Sequence, residues 1–85
     1  MIFIGLNKLR GKATKENIER TNKALASVPD VKVLSFYWTL GRYDTVTVFE
    51  APDEKTMLKM LTKVGDFVAT ETMVALPREE ATKLL

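Results

Sequence analysis

The chain has 85 residues, of which 46 % are hydrophobic and 28 % charged, with a formal net charge of +2. That is room for one domain (residues 1–85) with a modest core, and a charge too mild to argue for a nucleic-acid partner. Cys and His are both absent, which excludes disulfides, thiolate metal sites and Cys nucleophiles and removes the commonest general base and metal ligand, so no metal and no cofactor is expected.

The opening Ile2-Phe3-Ile4-Gly5-Leu6 reads as a first strand. It is too short for a signal h-region and no basic n-region precedes it. No stretch reaches membrane-spanning length, so a cytoplasmic protein without a membrane partner is expected. Gln is missing and Lys with Glu dominate the charges, a balance of thermophile type. Lys8, Arg10, Lys12 and Lys15 then surround Gly11 in a basic loop. Such a loop before a helix could attract an anion, but no aromatics are interleaved with the charges as nucleic-acid binding would require, and a solvated face is the plainer reading. Thr14 is the predicted N-cap of a helix running to about Ala26, with Glu16 and Glu19 early in it. Its inner face, Ile18, Thr21 and Leu25, is weakly apolar. Glu16 with Arg20 and Glu19 with Lys23 are i,i+4 pairs. Pro29-Asp30 ends the segment.

Val31 to Leu40 and Tyr43 to Ala51 alternate as strands. Between them Gly41-Arg42 fits a two-residue type II′ turn, which needs positive φ at its first position. That turn pairs Leu40 with Tyr43, Trp38 with Thr45, Phe36 with Thr47 and Leu34 with Phe49. One face of the ribbon then carries Leu34, Phe36, Trp38, Leu40, Tyr43 and Phe49, and the other Val31, Val33, Tyr37, Val46 and Val48. Both faces are apolar and both need cover, which points to a partner subunit.

Asp53 is the predicted N-cap of a second helix, along which Met57, Met60, Leu61 and Val64 recur at helical spacing. Gly65 sits where a C′ glycine belongs. Phe67 to Leu76 reads as a fourth strand, and Pro77 opens a short terminal helix. Right-handed crossovers fold this order into a split βαβ, an α+β sandwich with two helices on one face of a four-stranded antiparallel sheet.

The segment Gly41-Arg42-Tyr43-Asp44, with Thr39-Leu40 before it and Glu50-Ala51-Pro52-Asp53 after it, resembles the GYD-domain family. Gly65 and Thr70-Glu71-Thr72-Met73-Val74-Ala75 extend the resemblance, which covers about Val31 to Leu76. It implies a ferredoxin-like βαββαβ fold that pairs as a dimeric α/β barrel, two open sheet faces meeting around a cavity. The family's biochemical role is unassigned, so the resemblance implies fold and assembly rather than chemistry.

Three readings of function stay open. The first is a homodimeric binding module that holds a small apolar or aromatic ligand in the inter-sheet cavity, with Phe36, Trp38, Tyr43, Phe49, Thr70 and Thr72 as ligand-binding residues. The same aromatics also suit a dimer core. The second is a cofactor-free enzyme of oxygenase or isomerase type, with Tyr43, Asp44 and Glu71 as candidate catalytic groups. Against it, Asp44 suits a structural role in the turn. Glu71 interrupts an apolar strand, and its role depends on its face: enclosed, it is a general-base candidate; turned away, it leaves Thr70 and Thr72 facing the cavity. The third is a plain assembly domain.

Overall fold

Seven elements follow along the chain: β1 (Ile2–Leu9), α1 (Lys15–Ser27), β2 (Lys32–Trp38), β3 (Thr45–Glu50), α2 (Glu54–Leu61), β4 (Val68–Ala75) and α3 (Arg78–Thr82). The structure, a computed structural model, describes residues Met1–Leu85. The strands form one antiparallel sheet in the order β2-β3-β1-β4. This is the βαββαβ ferredoxin-like arrangement, with α1 and α2 on one face and the other face uncovered.

The helices start where their caps dictate. Thr14 Oγ1 accepts the Asn17 N–H at 3.1 Å to open α1, and Asp53 Oδ1 accepts the Thr56 N–H at 2.8 Å to open α2. Those Thr56 bonds hold the Asp53 carboxyl below its usual range. The end of α2 departs from expectation. The helix stops at Leu61 and Gly65 does not take a positive φ. Instead Lys63 and Val64 N–H groups bond back to Met60 and Leu61 at 3.1 and 3.2 Å. These tighter i→i−3 bonds are a common way for a helix end to satisfy its last carbonyls. They bring Val64 and Phe67 both into the core, with Ala24.

The hairpin keeps the expected pairs Trp38↔Thr45 and Phe36↔Thr47. A bulge between Val33 and Ser35 then places Val33, not Leu34, opposite Phe49. Leu34 is the extra residue and is exposed. The connection is also wider than a two-residue turn. Gly41 does take a positive φ, 126°, but Leu40 and Tyr43 do not pair. The Tyr43 carbonyl accepts the Thr39 hydroxyl at 2.6 Å, and the Asp44 N–H extends the ladder to the Asn7 carbonyl at 2.8 Å. These bonds leave residues 39–44 as a loop.

Register defines the rows of each sheet face. On the helix side Val33, Phe49, Phe3 and Val74 form one row, Phe36, Thr47, Gly5 and Thr72 the next, and Trp38, Thr45, Asn7 and Thr70 the third. The first row meets the main core of Phe3, Val28, Val31, Phe49, Ala51, Met57 and Met60. The open face carries Ile4, Leu6, Val46, Val48, Tyr37, Met73 and Glu71.

Candidate functional site

The inner face of α1 offers little hydrocarbon beyond Ile18 and Leu25. Its neighbours there are Asn17, Thr21 and Asn22, and below them the sheet presents small polar residues rather than large apolar ones. The space between does not close. A cavity of about 160 Å³ remains between α1 and the sheet. Phe36 and Trp38 on the edge strand β2 stand at its mouth with Ile18, and Leu25, Phe49, Met60, Leu61, Val64 and Phe67 make its walls. Asn7, Thr45 and Thr47 form its floor. No Asp, Glu, Lys, Arg or Tyr side chain lines it.

The floor is a connected cluster. Asn7 Nδ2 donates to Thr45 Oγ1 at 3.1 Å and to Thr47 Oγ1 at 3.3 Å. Thr70 Oγ1 donates to Asn7 Oδ1 at 2.7 Å and lies 2.8 Å from Thr72 Oγ1. Gly5 makes this cluster possible. A Cβ there would lie 2.5 Å from Thr47 Oγ1 and 3.0 Å from Asn7 Oδ1, so any side chain would force the polar groups apart.

The predicted ligand residues divide between the two sheet faces. Phe36, Trp38 and Phe49 lie on the helix side, around a cavity within one chain rather than one between two sheets. Thr70 and Thr72 lie on the same side and reach the floor only through Asn7. Tyr43 does not belong with them. Its hydroxyl donates to Glu71 Oε2 at 2.9 Å, over the open face where Glu71 stands opposite Leu6. This bond to the carboxylate, with some loss of hydration, holds the Tyr43 phenol above its usual range. The strand pattern could not decide these faces, because both ribbon faces are apolar and the alternation breaks in the 39–44 loop.

Asp44 Oδ2 accepts the Leu9 N–H at 2.8 Å, a structural bond that ties the loop to β1. Lys8 Nζ donates to the Arg42 carbonyl at 3.2 Å, from the open-face side. Of the remaining basic groups, Arg10 Nε donates to the Gly65 carbonyl at 3.0 Å. Arg20 does not pair with Glu16. It makes a bidentate bridge to Asp66, 2.8 and 2.9 Å, and its guanidinium sits 4.6 Å from the Phe67 ring centre. The bridge raises the Arg20 pKa and holds the Asp66 carboxyl below its usual range. No three Asp or Glu side chains come together to hold a metal ion. No helix is long and apolar enough to cross a membrane.

A profile of the GYD domain matches residues 5–85. The chain belongs to the GYD-domain family. No curated protein matches it. Among solved structures it is similar to a dimeric ferredoxin-like protein of unknown function from Thermobifida fusca, at 17 % identity over 87 % of this chain and 89 % of that one, with a TM-score of 0.52. It is also similar to a protein named PH0061, at 16 % identity over 92 % of this chain and 54 % of that one, with a TM-score of 0.55. At such identities the likeness is one of fold.

In this chain the motif that carries the GYD resemblance makes a clasp of hydrogen bonds. Gly41 turns the loop, the Arg42 carbonyl and the Asp44 carboxylate hold it to β1, and Tyr43 reaches across to Glu71 on β4. The floor residues Gly5, Asn7, Thr45 and Thr47 are not among the site candidates that the sequence offers. Their signal was there, in a Gly-x-Asn and a Thr-x-Thr at strand spacing. The apolar pattern ends the first strand at Leu6, before Asn7, whereas the strand runs to Leu9.

Proposed function

We propose that this GYD-family chain is a small ligand-binding module that takes an uncharged, single-ring-sized apolar molecule in the cavity under α1, and that two copies pair through their open sheet faces. The cavity carries the reading: apolar walls around a few convergent polar groups are the usual make-up of a small-molecule site. Its size supports it too, since a dry cavity of roughly 150 Å³ lined by apolar side chains holds benzene. The absence of any titratable lining group favours binding over catalysis, because general acid–base chemistry needs a proton-transferring group within hydrogen-bond reach. Tyr43, Asp44 and Glu71 stand outside the cavity.

Trp38 is the single tryptophan and stands at the mouth, so its emission reports occupancy. Titration with a panel of single-ring compounds is expected to give saturable changes in Trp38 emission and a raised Tm. Trp38→Ala weakens the Tm shift and Glu71→Gln leaves it intact. A panel without any saturable response would leave only the assembly domain. Turnover abolished by Glu71→Gln with binding retained would instead establish the enzyme.

Pairing is supported by the band of Ile4, Leu6, Val46 and Val48 with the exposed Tyr37 and Met73 beside it, an apolar face that water would otherwise cover. Charges of both signs rim it, Lys8 and Lys32 with Glu50 and Glu71, which suits a self-complementary two-fold interface. The dimeric state of the Thermobifida fusca protein agrees. Sedimentation is expected to give twice the chain mass. Ile4→Asp should give a monomer by placing a charge in a desolvated interface, and a monomeric wild type would refute the pairing.

A further inference from the structure

The hydrogen bonds of the cavity floor have a direction. A threonine hydroxyl has one hydrogen to give and an asparagine amide two. Asn7 gives both of its hydrogens, one to Thr45 and one to Thr47. Thr70 gives its hydrogen to Asn7 Oδ1, so at the Thr70–Thr72 contact the hydrogen is that of Thr72. Every bond therefore runs the same way, from Thr72 and Thr70 on β4, through Asn7 on β1, to Thr45 and Thr47 on β3. Bonds in such a chain polarise one another, which strengthens the donors at its end. Those donors are the Thr45 and Thr47 hydroxyls. Each accepts from Asn7, and neither has a protein acceptor for its own hydrogen.

The three floor residues are nearly closed to solvent, with relative exposures of 8 % for Asn7, 7 % for Thr45 and 2 % for Thr47. A buried donor without an acceptor is costly, and whatever fills the cavity determines whether that cost is met. A hydrocarbon over the floor leaves both hydrogens unpaired. So does a molecule that brings only an N–H. An anion would find no countercharge among the lining residues.

We propose that the cavity floor is a donor site for the carbonyl oxygen of an uncharged ligand, with the Thr45 and Thr47 hydroxyls as the donors and Gly5, Asn7, Thr70 and Thr72 as the residues that aim them. This rests on the reading of the cavity as a ligand site and names the ligand's class: a small apolar ketone, aldehyde or quinone-like carbonyl compound. A carbonyl oxygen has two lone pairs and no hydrogen, so it can take up either free donor without adding an unpaired one.

The test compares shape-matched compounds on the wild-type protein. Acetophenone and α-methylstyrene differ by C=O against C=CH2, and indole and indene by N–H against CH2. Acetophenone is expected to bind roughly five- to tenfold more tightly than α-methylstyrene, the ratio one net hydrogen bond supplies. Indole is expected to bind no better than indene. In Thr47→Val and in Thr45→Val the carbonyl preference shrinks while α-methylstyrene binding holds, and Thr47→Ser restores it. Equal binding of acetophenone and α-methylstyrene overturns the donor site and leaves the cavity reading standing. A preference for indole over indene without one for acetophenone shows that the chain of bonds runs the other way, and also overturns it. If none of the four compounds binds, the cavity reading fails and the donor site with it.

Discussion

The two ends of the helix-side sheet face are built from the same strands and covered by the same pair of helices, yet one is closed and the other hollow. At the closed end Phe3 and Phe49 face each other across β1 and β3 and meet Met57 and Met60 of α2. At the hollow end the corresponding pairs are Gly5 with Thr47 and Asn7 with Thr45. The change takes two residues along a strand. Large side chains at the first pair interdigitate with the helices and exclude space. The short polar ones at the next two bond to each other and stay low against the sheet, and α1 above them has only Ile18 and Leu25 to fill the gap. A cavity in this fold is thus a matter of row composition, with the backbone unchanged.

Substitutions at the two ends should separate stability from binding. Phe3→Ala removes a fully buried ring from the closed row and is expected to cost about 3–5 kcal/mol in urea unfolding. Trp38→Ala removes a larger side chain at the hollow end, but one that is 60 % exposed, and the expected loss of stability is within about 1 kcal/mol. The order reverses for ligand, since only Trp38→Ala changes the mouth of the cavity. Similar losses of stability for both would mean that the hollow end is as tightly packed as the closed one.

Gly5→Ala asks whether the polar cluster is closed over bare backbone. The new Cβ would sit 2.5 Å from Thr47 Oγ1, and a β-branched side chain pinned by Asn7 has little freedom to turn away. A destabilisation of about 1–3 kcal/mol is expected, as for other overpacked sites. Adding Thr47→Ala removes the atom in the way and should recover most of the loss, a coupling that neighbouring residues show and distant ones do not. A neutral Gly5→Ala would mean that the cluster is looser than its distances indicate.

The fold was largely legible because its signals are local. Thr14 and Asp53 cap the helices as read, the strand order follows from crossover handedness, and Gly41 takes its positive φ. What the sequence did not disclose depends on long-range contact. The bulge at Leu34 shifts the register by one residue, and alternation alone has no means to signal it. The facing of Phe36 and Trp38 turned on which of two apolar ribbon faces the helices cover. The resemblance implies a cavity between two paired sheets; the space under α1 is a separate one, within a single chain. Its floor brings together residues from three strands, and only their pairing reveals that Asn7, Thr45 and Thr70 stand in one row.

The smallest expected effect concerns what holds α1 over the hollow end. Arg20 on α1 bridges to Asp66 after α2 and lies over Phe67, which is itself a wall of the cavity. Both partners are well exposed, 40 % and 64 %, so the bridge contributes little and is screened by salt. Its pH signature still has a definite sign. The Asp66 carboxyl is held below the ordinary 3.8 by its Arg20 bonds, so the folded state binds that proton less readily than the unfolded chain. The stabilisation is therefore present above the unfolded value and is lost as pH falls through it towards the folded value. Wild type should melt slightly above Asp66→Asn at about pH 6, and the gap should shrink as pH falls below the ordinary carboxyl value. Asp53, also held low, loses its contribution in the same range, but it does so in both proteins and cancels in the difference. About 1 M salt should narrow the gap at pH 6 if charge attraction makes it. A gap that survives both acid and salt would instead assign it to the amide's altered contacts at the turn.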